Sequence, residues 1–197
     1  EFDFLDEHFR CDPEIIRWSN DQFYDHRLKI LTHRRTAVFN PALEVRELKD
    51  ADDDRESKVN RKEAEAIIRE LRRIVEDEEL QRMKVGVISP YRKQADLVNE
   101  MIEREFADQP ELKRRRELLA STADGFQGDE RDIILYSFRY GPSSHPATVH
   151  AIEREAERLN VAFTRAKRKV ICFVSNPPSQ FPKGLIRSFL EHAKQAE

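Results

Sequence analysis

Glycine is scarce in this chain, 5 of 197 residues, and no G-x-x-x-x-G-K-[ST] segment occurs anywhere in it. The backbone cradle that holds nucleotide phosphates in P-loop hydrolases is therefore absent, and with it any self-sufficient site of that type. Cysteine is scarcer still: Cys11 and Cys172 lie far apart in unrelated contexts, too few for a disulfide framework or a thiolate metal site. That usage suits a reducing cytoplasm, and no bound metal is expected. No apolar run approaches the roughly 18 residues needed to span a bilayer, and no signal-peptide pattern opens the chain, so no membrane partner is expected. An excess of basic charge is missing too. The 35 Lys and Arg stand against 38 Asp and Glu, a net charge of −3, so any contact with nucleic acid must come from a local patch. What remains is 39% hydrophobic and 37% charged, enough to bury the core of one ordinary domain.

Helix and strand signals alternate. Asp12-Pro13-Glu14 places a capping acid, a proline at the first helical position and a first-turn carboxylate, which predicts a helix to Tyr24 with Ile15, Ile16, Ser19 and Phe23 inside. Asn60-Arg61-Lys62-Glu63 has the form of a capping box, Asn60 accepting from the third amide and Glu63 reaching back to the Asn60 amide. Ala64, Ile67, Ile68, Leu71, Ile74 and Val75 keep helical period behind it, and further helices are expected after Gln94 and over 184–196. Residues 85–88, 118–121, 132–137 and 170–174 read as buried strands, and 36–40 as a short strand stopped by Pro41. Residues 43–57, with Asp52-Asp53-Asp54, read as a solvated loop, and Lys113-Arg114-Arg115-Arg116 as an exposed basic run or a phosphate contact. The alternation argues for a three-layer α/β domain with a mainly parallel sheet.

Four polar segments punctuate these elements. His8-Phe9-Arg10-Cys11-Asp12-Pro13 precedes the first helix. Ser89-Pro90-Tyr91-Arg92-Lys93-Gln94 follows a buried strand, and the carboxyl end of a parallel strand is where α/β sheets bind ligands. Thr122-Ala123-Asp124-Gly125-Phe126-Gln127-Gly128-Asp129-Glu130 joins two strands, with hydroxyls, close glycines and acids that suit phosphate or sugar contacts. In the fourth, Leu159, Ala162, Phe163 and Ala166 recur as one buried helical stripe, and Arg158 and Arg165, seven apart, fall along one edge of it and point the same way.

Read together, H-F-R-x-D-P, S-P-Y-x-x-Q, T-x-D-G-F-Q-G-D-E and R-L-N-V-A-x-T-R-A resemble, in order, motifs of superfamily 1 helicases, in the branch that holds the RNA-surveillance helicase and its DNA-processing relatives. The resemblance runs from about residue 5 to 175. It implies the second of two RecA-like motor domains, over residues 1–197 with 176–197 as a helical extension, in a P-loop-NTPase-like fold that lacks its own phosphate loop. It implies that Arg165 is an arginine finger on the terminal phosphate of ATP and that Arg10 is a second phosphate-contacting, catalytic arginine. Gln127, Gly128 and Glu130 would meet the nucleotide with them, while ATP and its Mg²⁺ would be shared with a first RecA-like domain of the same parent chain. Thr122, Ser89, Pro90, Tyr91 and Gln94 would contact single-stranded nucleic acid, and movement would run 5′ to 3′. His8 replaces a usual Gln, Cys11-Asp12 replaces Met and its neighbour, and Gly125 replaces a commoner Ala. The opening at Glu1, without Met, suggests a piece of something longer. Two other readings of the residues are open: a non-catalytic RecA-like nucleic-acid-binding module, and a metal-dependent nuclease built on Glu47 and Lys49.

Overall fold

A five-stranded, all-parallel sheet forms the middle layer. In spatial order its strands are Leu43–Glu47 (β3), Ala166–Val174 (β7), Arg131–Ser137 (β6), Val85–Ile88 (β4) and Leu119–Ser121 (β5). The numbering runs along the chain and begins with a small parallel pair, Glu7–His8 (β1) and Lys29–Ile30 (β2). The computed structural model describes residues 6–33, 37–54, 56–126, 129–154 and 156–196.

Successive residues of a strand face opposite ways, so a strand apolar on both faces needs a cover on each. Ile134, Tyr136, Val170 and Cys172 pack into a core with helices Pro13–Phe23 (α1), Ala147–Glu153 (α5), Ala156–Thr164 (α6) and Leu185–Ala196 (α7). Ile133, Leu135, Ile171 and Phe173 pack into a second core with Arg61–Glu76 (α2) and Arg92–Glu105 (α3), flanked by Pro110–Arg116 (α4). This is the expected three-layer, RecA-like α/β architecture. Among the described residues no helix is long and apolar enough to cross a membrane.

On the first face an aromatic cluster fixes α6. Phe163 stacks on Phe189 of α7 with ring centroids 3.7 Å apart and an interplanar angle of 7°, and Trp18 of α1 meets both edge-on at 6.0 and 5.0 Å. Rather than being an appended extension, α7 fills this core with Ile186, Phe189, Leu190 and Ala193.

Several expectations are corrected. No strand forms around 38: Ala37–Phe39 is a turn of 3₁₀ helix, and Thr36 lies outside the described residues. The edge strand is β3, inside the stretch expected to be solvated. Leu43 and Val45 point into the core while Glu44 and Arg46 alternate with them, Arg46 pairing with Glu44 at 2.6 Å and with Glu70, and Lys169 reaching Glu44 at 3.0 Å. An ion-paired outer face is a normal guise for an edge strand. The capping box is half formed. Asn60 accepts from the Glu63 amide at 3.0 Å, but the Asn60 amide donates to Gln94 Oε1 at 2.8 Å, while Glu63 Oε2 accepts from the Arg139 amide at 2.7 Å and the Ser137 hydroxyl at 3.1 Å. The basic run is exposed, as expected, at Arg114 and Arg115, but not throughout. Arg116 is buried and donates to the carbonyls of Ile74 at 3.1 Å and Val75 at 3.0 Å, closing the end of α2, while Lys113 and Arg114 pair with Glu103 and Glu111.

Residues 122–130 cross from β5 over β4 to β6 and so link the two ends of the sheet. Among the described residues of this stretch the helical element is the 3₁₀ turn Asp124–Phe126. Phe126 lies directly on β4 at Gly86, where a Cβ would stand 2.8 Å from the ring and 3.0 Å from Arg131 Cγ, so a glycine lets the crossover lie this close. Gly125 has a local reason of the same kind, since a Cβ there would come within 2.0 Å of Ser121 Oγ.

Candidate functional site

The amino ends of β6 and β7 start side by side, joined by a hydrogen bond of 2.9 Å from the Arg131 amide to the Arg165 carbonyl. The loop before α1 is laced onto the same place. The Asp12 amide donates to the Lys167 carbonyl at 2.9 Å, Cys11 Sγ donates to the Thr164 carbonyl at 3.3 Å, and the Cys11 amide donates to His8 Nε2 at 2.9 Å. The helix that this loop feeds begins as its sequence predicts, with Asp12 capping the Glu14 amide at 3.0 Å and Pro13 in the first turn.

This lacing brings Arg10, Arg165 and Lys167 around Glu130. Arg10 Nε lies 3.0 Å from Glu130 Oε2, Lys167 pairs with the other carboxylate oxygen, and Arg165 Nη1 lies 3.4 Å from the Asp129 carbonyl. The hydrogen bond from Lys167, with the fields of Arg10 and Arg165, holds the Glu130 carboxyl below its usual range. Burial pushes the Cys11 thiol up to about 12, so it is an inert packing group. Burial, then Arg10, pushes the His8 imidazole down, in keeping with a neutral ring that accepts from the Cys11 amide. Three cations thus surround one carboxylate, beside a hollow of about 550 Å³ whose wall includes Phe9, 63% exposed. An arrangement of this kind attracts anions and can exchange its carboxylate for a phosphate.

The opposite edge of the sheet, at the carboxyl ends of β4 and β5, carries the other residues singled out from the sequence. Thr122, Pro90 and Tyr91 are half-buried and ring a hollow of about 230 Å³ floored by Ile88, Tyr136 and Leu159, with the Arg158–Asp124 pair, 3.3 Å, at its rim. Tyr91 is fixed by its hydroxyl, which donates to the Thr148 carbonyl at 3.0 Å. Ser89 and Gln94 sit elsewhere. They are 1% and 0% exposed, so neither can lie against a strand of nucleic acid in this conformation. Ser89 Oγ accepts from the Tyr91 amide at 3.3 Å. Gln94 accepts from the Asn60 amide and donates to the Asn60 carbonyl at 3.0 Å and to Ser137 Oγ at 3.1 Å. Both hold the loop from beneath. Gln127 and Gly128 lie outside the described residues.

A family model, described as an AAA domain, matches residues 1–176. The chain belongs to this family of superfamily 1 helicase domains. Over 185 residues, 88% of its length, this helicase domain is 29% identical to the uncharacterized ATP-dependent helicase MG140 homolog of Mycoplasma pneumoniae, of which it covers 16%. Over 188 residues, 83% of its length, it is 27% identical to the putative helicase MOV-10 of Gallus gallus, of which it covers 19%. A shorter stretch of 87 residues, 44% of its length, is 34% identical to the DNA replication ATP-dependent helicase/nuclease DNA2 of Homo sapiens and covers 7% of that protein. The chain thus spans less than a fifth of each of these relatives.

In this helicase domain Arg158 and Arg165 do not share one edge of a helix. α6 ends at Thr164, whose hydroxyl donates to the Asn160 carbonyl at 2.8 Å, and Arg165 stands in the join to β7. About 10 Å of helix rise separates the two arginines, enough to carry them to opposite ends of the 122–130 crossover: Arg158 to Asp124, Arg165 to Asp129. Lys167 was not singled out from the sequence. Its signal is that β7 begins at Ala166, whose side chain is buried, so the next side chain turns the other way, toward Glu130. Of the nuclease pair, Glu47 is engaged by Lys194, and among the described residues no group of three or more His, Cys, Asp or Glu gathers to hold an ion.

Proposed function

We propose that the chain is the second motor domain of an ATP-dependent helicase or translocase, applying Arg10 and Arg165 to the terminal phosphate of ATP and the Thr122 and Tyr91 loops to a single strand of nucleic acid. The observation that carries this reading is the meeting of Arg10 and Arg165, distant in sequence, around Glu130 at one edge of the sheet.

The donor set fits one side of a phosphate. Guanidiniums and an ammonium are present, while a phosphate loop is absent, so the cradle and the ligands of Mg²⁺ must come from a first RecA-like domain. ATP supplies the phosphoryl group and, with its metal, the charge that the arginines act on. Arg165 and Arg10 stabilise charge that builds on the phosphate oxygens during transfer, and they do so only when the two domains close around it. Arginine suits the role because its planar fork grips two oxygens and keeps its charge at any working pH. The backbone of Thr164 and Arg165 is pinned from both sides by Cys11 and Arg131, and Phe163 is locked by stacking, so the fork is held on a rigid mount. The exposed Phe9 ring beside Arg10 offers an apolar face to a base. At the far edge, Thr122 and Tyr91 suit contacts to sugar and phosphate that tolerate any sequence.

The test is ATP hydrolysis in the longer protein that carries this domain. Arg165→Ala should cut nucleic-acid-stimulated turnover about a thousandfold, with thermal unfolding and single-strand binding nearly unchanged. The chain by itself should hydrolyse ATP no faster than background. Normal turnover by the Arg165→Ala protein would overturn the reading.

A further inference from the structure

Arg131 is the first residue of β6 and follows Glu130 directly, yet its side chain is only 5% exposed. It lies against Phe126, with the guanidinium 5.2 Å from the ring centroid, over the place on β4 that Gly86 leaves open. From there it reaches in two directions. Toward the site, Nη1 donates to the Glu130 carbonyl at 3.1 Å and Nη2 lies 3.6 Å from Asp129 Oδ2. Away from it, Nε donates to the Glu117 carbonyl at 3.4 Å and Nη1 lies 3.0 Å from Glu117 Oε2. Glu117 is the left-handed residue, φ 51°, that turns the chain from α4 toward β5, and Lys84, just before β4, pairs with its other carboxylate oxygen. One side chain, with Lys84 beside it, thus ties the amino ends of β4, β5 and β6 to the last residues of the crossover.

Burying a cation is costly, and a hydrophobic residue of similar volume would pack on Phe126 as well. Its carboxylate partners do not need it. The side chains of Glu117 and Asp129 are 36% and 60% exposed, so water would solvate either one. What the guanidinium supplies is direction, because its planar fork sets the place of several groups at once. Those groups are the ones on which the site arginines rest. Arg165 Nη1 meets the Asp129 carbonyl, the Arg131 amide holds the Arg165 carbonyl, and Glu130 carries the carboxylate that Arg10 and Lys167 share. The ladder is also irregular here: Arg131 pairs with Ala166 but Ile133 with Lys169, so one residue of β6 faces two of β7. A bulge re-aims side chains, and beside a site their aim depends on whatever fixes the strands at that point.

We propose that Arg131 is a positioning residue for phosphoryl transfer: braced on Glu117 at the corner between α4 and β5, it sets the backbone of Asp129 and Glu130 and, through them, the place of Arg165 in the cleft. The inference rests on the reading of Arg165 as the group that meets the terminal phosphate. Arg131 acts behind that group, so its effect falls on the rate of transfer more than on the binding of ATP.

The experiment is steady-state ATP hydrolysis, with saturating single strand, by the longer protein that carries this domain. Arg131→Lys keeps the charge and loses the fork. Its kcat should fall about a hundredfold, the cost of a displacement of about 1 Å, while KM for ATP rises far less. Glu117→Gln, at the surface and on the far side of Arg131 from Glu130, should lower kcat about fivefold and melt like the unaltered protein. The two changes together should be no slower than Arg131→Lys alone, because the residues act as one brace. A general loosening of the fold would instead make the losses multiply. Arg114→Ala, which breaks an exposed pair on the same helix, should leave turnover unchanged. The inference is overturned if either single variant turns over ATP normally, if the losses multiply, if the loss lies in KM with kcat unchanged, or if Arg114→Ala loses as much as Glu117→Gln. Should Arg131→Lys not fold, the rate of Glu117→Gln decides alone. Normal rates in these variants beside a crippled Arg165→Ala protein sink this inference and leave the proposed function standing, whereas a normal rate in the Arg165→Ala protein removes both.

Discussion

Arg10 Nε stands 3.0 Å from Glu130 Oε2, so a residue from the start of the chain and one from the far end of the 122–130 crossover neutralise each other at the edge of the sheet. Both groups are about half to one-third exposed, and an exposed pair of this kind contributes little to stability. Its value is geometric: Arg10 is held extended and ready for a different anion. Arg10→Lys and Arg165→Lys keep the charge and lose the fork. In the longer protein both are expected to turn over ATP at rates far closer to the alanine variants than to the unaltered enzyme. Steady-state hydrolysis with saturating single strand makes the comparison, and near-normal rates for either lysine variant would mean that charge alone suffices.

At the opposite edge, Thr122→Ala removes one hydroxyl from the rim of the smaller hollow. The expected loss in single-strand affinity is about fivefold, the worth of roughly one hydrogen bond, and equal across unrelated sequences. Competition with a panel of oligonucleotides checks this. A loss confined to one sequence would point to base reading instead.

Glu63 predicts a pH dependence of stability. Burial raises its carboxyl from the ordinary 4.5 to about 8, against the opposing pull of the Arg139 amide and the Ser137 hydroxyl. Between those values the unfolded chain has released the proton and the folded chain keeps it. Folding therefore takes up a proton, and stability falls as pH rises across that window, by about 1.4 kcal/mol for each pH unit, and levels off above it. Glu63→Gln should flatten that slope. Urea denaturation at pH 5, 6, 7 and 8 (values that span this window) is the measurement, and an equal slope in both proteins would show that Glu63 is not its source.

Gln94 separates a supporting role from a contact. Removing its amide strands the Asn60 amide in a dry interior, while the Asn60 carbonyl keeps the Ala64 amide and the Ser137 hydroxyl keeps Glu63, at a cost of about 1–3 kcal/mol. Gln94→Ala should thus lower the denaturation midpoint sharply. At temperatures where it stays folded, its affinity for single strand should be close to that of the unaltered chain. A large affinity loss in a stable variant would return Gln94 to the binding surface.

How much of this was legible in the sequence depends on whether a residue's partners are near it in the chain. The α1 start needs only Asp12, Pro13 and Glu14, and it formed as expected. The buried strands β4, β6 and β7 announce themselves by continuous apolar runs. Motif resemblance singled out Arg10, Arg165 and Glu130, which stand together at the start of β6 and β7, and their chemical role is a proposal. β3 was missed because Glu44 and Arg46 look like loop residues until Lys169 and Glu70 are placed opposite them. Ser89 precedes and Gln94 follows a loop that touches the surface at Pro90 and Tyr91, Gln94 in the first turn of α3, and both are held inside by Asn60, Ser121 and Ser137, which only the tertiary structure brings near. The seven-residue spacing of Arg158 and Arg165 misled because a periodicity argument cannot see that the helix stops one residue early.

The family match ends at residue 176, yet the core does not. Phe181, Ile186, Phe189, Leu190 and Ala193 close it from beyond that point, and Phe189 is the ring on which Phe163 lies. A chain cut at the family boundary would therefore leave Trp18 and Phe163 facing water close to Arg165, an adhesive face on an otherwise well-charged surface. Such a truncation should be recovered as aggregate rather than as a weakly folded domain, because the segment that resembles its relatives and the segment that folds are of different lengths.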